Sequence, residues 1–239
     1  RDLRMSRGLG DVYKRQKINK PKRIDFMENI ITITSDRDED VFIHANMGHF
    51  ITANAHINCY VGTSDIKHNH KVSVDAAMLL AQYYIERDIH VDSVLCLYET
   101  QALGAYLAHE LARPSMLAPN PDSDICVLGP EYDATGNIIF RDNLIRMIQG
   151  KKVLVLISCI TSGKTVERAI ESISYYGGEA VGVSAAFSAT KEICGLEVNT
   201  IFTEDDVPSY EVYNSHDCPL CKQSMPVKAI VNGYGYSKI

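Results

Sequence analysis

The sequence predicts an α/β fold, a parallel Rossmann-like sheet flanked by helices, and three observations carry that reading. Apolar runs rich in β-branched residues recur at Val91–Leu97, Val153–Ile157, Ala180–Ala186 and Val198–Phe202. Their continuity, without polar alternation, is the pattern of strands buried on both faces of a sheet. Helical periodicity fills intervals between them, and alternating strand and helix favours parallel strands joined by right-handed crossovers. The length, 239 residues, suits one such domain with appendages and can bury a substantial core.

Taken in order, residues 1–26 read as a leader outside the fold. Residues 1–16 resemble translated adapter sequence, and Met27 is a plausible start. Residues 1–23 hold nine of the 24 Lys/Arg and two of the 30 Asp/Glu, so with a net charge of −6 the remainder carries −13. A body that acidic is a poor nucleic-acid binder. From Ile30 the apolar pattern alternates, pauses at Ser35–Asp40 and resumes at Val41–Ile43, as in a hairpin or two edge strands. His68 and His70 form an H-x-H pair without an acid or cysteine nearby, which reads as a solvated loop rather than a metal site. Ser73 is expected to cap a helix packing through Val74, Ala77, Met78, Ala81 and Ile85.

The strand ending at Leu97 leads through Tyr98-Glu99-Thr100-Gln101 into the next helix. Ile125–Leu128 and Ile138–Phe140 read as paired strands around the turn Asp133-Ala134-Thr135-Gly136, with Arg141 just beyond. Two acids, Asp205 and Asp206, follow the strand ending at Phe202, either facing a ligand or as an ordinary loop. No apolar run approaches the length of a membrane span, and seven cysteines, several in apolar runs, suit a reducing compartment. The expected location is the cytoplasm, with no membrane partner.

The most informative stretch is VLVLISCITSGKTVERAIESISYYGG, from Val153 to Gly178. A buried strand feeds Thr161, Ser162, Gly163, Lys164 and Thr165. A helix with Val166, Ala169, Ile170 and Ile173 on one face then runs to the Gly177-Gly178 stop. Free backbone N–H groups and the positive end of the helix dipole converge at such a turn, and hydroxyls and a lysine add donors. The plain alternative is a βα turn whose Thr and Ser only cap the helix. Gly163-Lys164-Thr165 also supplies half of a nucleotide P-loop, but Ser158 stands where its first glycine belongs.

Ile160-Thr161-Ser162-Gly163-Lys164-Thr165 resembles more closely the signature of the type I phosphoribosyltransferases, in which an acidic pair precedes Thr-Thr-Gly. Here Ile157 and Ser158 occupy the acidic positions. The stretch Gly48–Tyr60 resembles the early, hood-forming segment of orotate phosphoribosyltransferases, with Asn54-Ala55 in place of Ser-Gly. The resemblance implies a core with a small hood over residues 27–210. Its substrates would be phosphoribosyl pyrophosphate and a nucleobase, with Mg2+ as cofactor and a homodimer as the assembly.

It also implies that Thr161–Thr165 hold the 5-phosphate and that Tyr98, Glu99, Thr100 and Gln101 flank the pyrophosphate. Arg141 and Glu99 are then the catalytic candidates, Arg141 as a closing cation and Glu99 as a magnesium ligand or, equally, a plain helix-start acid. His49 and His56 either line a base pocket or are polar residues on a half-buried strand. The implied reaction is phosphoribosyl transfer to an orotate-type base. The alternative is a non-catalytic domain that senses phosphoribosyl pyrophosphate or a nucleotide, which the missing acidic pair favours.

Residues 211–239 form a tail carrying Cys218-Pro219-Leu220-Cys221. C-P-x-C directs two thiolates at one ion, and His216 is the candidate third ligand of a structural Zn2+. A redox pair is disfavoured because the motif is not expected to open a helix after a strand. Val227–Tyr236 reads as a closing strand.

Overall fold

The computed structural model describes residues 30–114, 120, 123–133 and 136–239. The expected leader and Met27 lie outside the described residues, as do Ala134 and Thr135 of the expected turn. The chain opens with β1 (Ile30–Ser35), β2 (Asp38–Ile51) and β3 (His56–Gly62), followed by α1 (Ser64–His68) and α2 (His70–Glu86). Next come β4 (Ser93–Cys96), α3 (Gln101–Ala112), β5 (Cys126–Leu128), β6 (Glu131–Tyr132), β7 (Ile138–Ile139) and α4 (Asp142–Ile145). The second half runs β8 (Lys152–Ile160), α5 (Lys164–Tyr175), β9 (Glu179–Ser188), β10 (Glu192–Ile193), β11 (Leu196–Thr203) and a 3-10 turn at Glu204–Asp206. The tail holds β12 (Val212–Tyr213), α6 (Pro219–Lys222), β13 (Val227–Asn232) and β14 (Gly235–Lys238).

The main sheet has the order β10-β11-β9-β8-β4-β5, and every pairing in it except β10 with β11 is parallel. Its centre, β8, shows why the apolar runs matter. Leu154 and Leu156 join a core shared with α2, α3 and the first hairpin, while Val153, Val155 and Ile157 join the opposite core against α5 and β7. A strand with water on neither face needs apolar residues at every position, and each buried aliphatic side chain contributes roughly 1.5–3 kcal/mol. A second sheet, β12-β3-β2-β13-β14 with β1 on β2, stands where the hood was expected and takes in the tail strands. Among the described residues no helix is long and apolar enough to cross a membrane.

Several local expectations change. The helix expected to start at Ser73 starts at His70, because Asn69 is its cap and accepts from the Lys71 amide at 3.1 Å. The Ser73 hydroxyl instead donates to the Ile66 carbonyl at 2.6 Å; Ala77 and Ala81 are buried as expected, and the buried face continues through Val72, Ala76, Leu80 and Tyr84 rather than Val74, Met78 and Ile85. β5 pairs with β4 rather than with the Ile138 strand, whose partner is β6. The polar sequence between them closes that two-residue hairpin through the Gly136 amide to Asp133 carbonyl bond. Val227–Tyr236 is not one strand but the hairpin β13–β14, which Gly233 and Tyr234 turn. C-P-x-C does open a helix, the single turn α6, because Pro219 sits at its first position with Cys218 as cap. Asp206 accepts from the Thr203 amide and hydroxyl in a capping box, so it serves the turn it begins.

Candidate active site

The turn between β8 and α5 is an anion cradle in its backbone as well as its composition. Gly163 is left-handed at φ 76°, and a Cβ there would lie 3.1 Å from Ile193, so glycine is required twice over. That conformation brings the chain into α5 with the amides of Ser162, Gly163, Lys164 and Thr165 engaged by no protein carbonyl among the described residues. The first amides bonded back are those of Val166 and Glu167, both to the Gly163 carbonyl. Unpaired donors at the positive end of a helix favour a bound anion. The Thr161 carbonyl accepts from the Thr190 hydroxyl at 3.4 Å, which ties the turn to the end of β9. Burial pushes the Cys159 thiol up to about 12, so it stays protonated.

These residues open onto a cavity whose walls come from three places in the chain. The floor is Ile157 to Val166, one side is Thr63, Ser64 and Lys67 beside Tyr60, and the other is Val231–Gly235 of the tail hairpin. Thr52–Asn54 of the β2–β3 turn, Ile57 and Val61 of β3, and Tyr98 and Tyr210 complete it. Two lysines line this cavity and no carboxylate does, so its electrostatic character suits a multiply charged anion. Lys67 is the residue that sequence reading missed. It is 3 % exposed, and its ammonium donates to the Gly233 carbonyl at 3.1 Å. Burial lowers its pKa, partly opposed by the charge of Glu99. A lysine just ahead of two histidines at the end of a short helix carries no pattern of its own, and its role is visible only once α1 packs under the tail.

The Tyr98–Gln101 turn follows β4, the neighbour of β8, so it stands beside the phosphate turn as a doubly wound sheet requires. Tyr98 and Glu99 are both left-handed, at φ 52° and 63°. Thr100 is buried, with its hydroxyl within 3.0 Å of the Leu97 carbonyl and 3.2 Å of the Leu156 carbonyl, so it ties the two strand ends together. Glu99 and Gln101 are exposed, and only Tyr98 of the four lines the cavity. Its ring stacks on Tyr132 at 5.6 Å, meets Tyr234 edge-on at 5.2 Å and covers Gly233.

Arg141 lies away from the cavity lining. Its guanidinium forms a bidentate pair with Glu131 across the β6–β7 hairpin, Nε donating to Oε1 at 3.1 Å and Nη2 to Oε2 at 2.5 Å. Cys218 and Cys221 converge not with His216, which is exposed, but with His49 and His56 of the second sheet. The two histidines therefore lie outside the cavity lining that one sequence reading gave them. Burial, and then the neighbouring His49, lowers the pKa of His56.

No protein-family model matches the chain. Among characterised relatives, the orotate phosphoribosyltransferase of Caldicellulosiruptor bescii is 30 % identical over 155 residues, 62 % of this chain and 69 % of that protein. The orotate phosphoribosyltransferase of Desulforamulus reducens is 37 % identical over 79 residues, but this stretch spans only 39 % of that protein. A solved phosphoribosyltransferase from Corynebacterium diphtheriae superposes with a TM-score of 0.48 at 21 % identity, covering 68 % of this chain and 90 % of that one.

Proposed function

Since the chain belongs to the type I phosphoribosyltransferases of the orotate phosphoribosyltransferase kind, we propose that it transfers phosphoribose from phosphoribosyl pyrophosphate to an orotate-type nucleobase in nucleotide biosynthesis. One observation carries the reading: four unengaged amides at the start of α5 open into a cavity with two lysines and no carboxylate.

On this reading the amides of Ser162–Thr165 and the hydroxyls of the turn hold the 5-phosphate and fix the sugar over Ile157 and Ser158. Binding energy at that remote phosphate orients C1 for attack by the base. The C1–oxygen bond breaks as a base nitrogen bonds to C1, and the electron pair leaves with pyrophosphate. Tyr98 borders the leaving group. Lys67, already desolvated and held by Gly233, faces the growing negative charge without having to reorganise. Arg141 acts as the closing cation by exchanging Glu131 for the pyrophosphate.

The cavity's own donors do not form a magnesium site. Hard divalent ions take carboxylate oxygens, and here the acidic positions are Ile157 and Ser158 and Glu99 is exposed. Mg2+ enters the proposal only as the companion ion of the pyrophosphate. A cytosolic homodimer completes it, consistent with seven free cysteines.

The same absence of carboxylates favours a second reading, a phosphoribosyl pyrophosphate or nucleotide sensor that binds without turnover. Pyrophosphate release, measured with a panel of bases that includes orotate, separates the two. Release with one base supports the transferase. Saturable binding of phosphoribosyl pyrophosphate with no release for any base selects the sensor.

A further inference from the structure

The second sheet and the tail hold a cluster that phosphoribosyl transfer does not use. His49 on β2, His56 on β3 and the two cysteines flanking the first turn of α6 bring one ligand atom each to within 4.8 Å of one another. His49 Nε2 lies 3.0 Å from His56 Nδ1 and 3.7 Å from each sulfur, and Cys221 Sγ lies 3.3 Å from His56 Nδ1. Zinc bonds to nitrogen and sulfur imply ligand–ligand separations of about 3.3–3.8 Å around a tetrahedron. The three nitrogen–sulfur spacings given fall within that range, and the nitrogen–nitrogen spacing lies just below it. His49, His56 and Cys218 are 1 %, 9 % and 2 % exposed, so three of the four groups are out of water.

The surroundings orient the donors as well. His49 Nδ1 stands 2.9 Å from the Met225 carbonyl, which can only accept, so that nitrogen carries the proton and Nε2 turns its lone pair to the cluster. A carbonyl partner behind a histidine is the usual outer shell of a metal ligand. Two imidazoles and two thiolates select a borderline-soft tetrahedral ion over magnesium or calcium. With all four positions supplied by the protein, no place remains for a substrate water, which makes the site structural.

We propose that His49, His56, Cys218 and Cys221 bind one Zn2+, and that this ion clasps the tail to the second sheet. Elsewhere the tail is held by the pairing of β12 with β3 and of β13 with β2, and by Ala229 and Val231 packed with Phe50 and Ile57, but α6 is a single turn of four residues and β12 only two. Four residues after α6 the chain enters β13, whose far end supplies the Val231–Gly235 wall of the cavity. The clasp thus fixes that wall from the opposite end of one strand.

The test is metal analysis of the purified full-length chain, together with thermal unfolding before and after chelation under reducing conditions. One zinc per chain is expected, with a clear loss of melting temperature when it is removed and recovery when it is returned. Cobalt loaded in its place should give the visible absorption of tetrahedral thiolate coordination, a readout independent of phosphoribosyl transfer. His56→Ala and Cys221→Ser should lose the metal, while His216→Ala should keep it. Should either of the first two fail to fold, the cobalt spectrum of the unaltered chain still decides. A chain that takes up no stoichiometric zinc or cobalt, a Cys218–Cys221 disulfide in the reduced-buffer preparation, or zinc lost through His216→Ala but kept by His56→Ala would overturn the assignment.

Discussion

Two turns end neighbouring parallel strands at the mouth of the cavity, and the chain builds them in opposite ways. After β8 the left-handed position is Gly163, where a positive φ carries no steric penalty. After β4 the left-handed positions are Tyr98 and Glu99, each at a cost of about 1–2 kcal/mol for a residue with a Cβ. Such strain persists only where surroundings over-determine it. Here Thr100 ties Leu97 to Leu156 below the turn, and Tyr132, Tyr234 and Gly233 enclose the Tyr98 ring above it. The turn after β8 is therefore set by its own sequence, and the turn after β4 by packing from the tail.

The largest effect should come from breaking the self-sufficient turn. Gly163→Val adds a branched Cβ at φ 76° against Ile193 and swings the free amides out of convergence. Calorimetry should register loss of phosphoribosyl pyrophosphate binding by about a hundredfold or more, roughly 2.7 kcal/mol. Gly233→Ala attacks the other turn from outside, since its Cβ would collide with the Tyr98 ring. It should weaken binding roughly tenfold, about 1.4 kcal/mol, and a Tyr98→Gly background that removes both the ring and its Cβ should abolish the difference. Such non-additivity, read from a double-mutant cycle, is the signature of contact.

Lys67 sharpens the comparison through pH, because it joins α1 to the tail wall. Its folded pKa lies below the ordinary 10.5, chiefly through burial. Between the folded value and 10.5 the unfolded chain binds more protons, so this group makes stability rise with pH across that window. Anion binding needs the ammonium and falls across the same window. Lys67→Met should remove both trends, the first in thermal melts and the second in binding isotherms. A smaller effect is expected from Glu99→Gly, which relieves a left-handed position and should stabilise the fold by about 0.5–1 kcal/mol, measured by denaturant unfolding. Smallest in binding is Arg141→Ala, which under the proposed closing role should leave affinity within about twofold yet lower turnover.

What could be read from the sequence follows the same division. The apolar run Val153–Ile157, the Thr161–Thr165 turn and the Gly177-Gly178 stop are local features, and local chemistry determines them. The strain at Tyr98 and Glu99 has no counterpart in their residue types, because it is imposed by Gly233 and Tyr234 more than 130 positions later. Lys67 was overlooked beside the more conspicuous His68 and His70, of which His70 simply bonds the Tyr106 hydroxyl at 2.7 Å. His216 was assigned to the cysteines because it was near in sequence. His49 and His56 are the residues that the pairing of β2 with β13 brings to them. Long-range register, which one sequence read alone does not encode visibly, accounts for each of these differences.

The most direct measurement is calorimetric titration of the full chain with phosphoribosyl pyrophosphate and Mg2+, beside the Gly163→Val variant. The prediction is saturable one-site binding that the variant loses while keeping a cooperative melt. Absence of heat for the unaltered chain, or equal affinity in the two, would contradict the phosphate cradle.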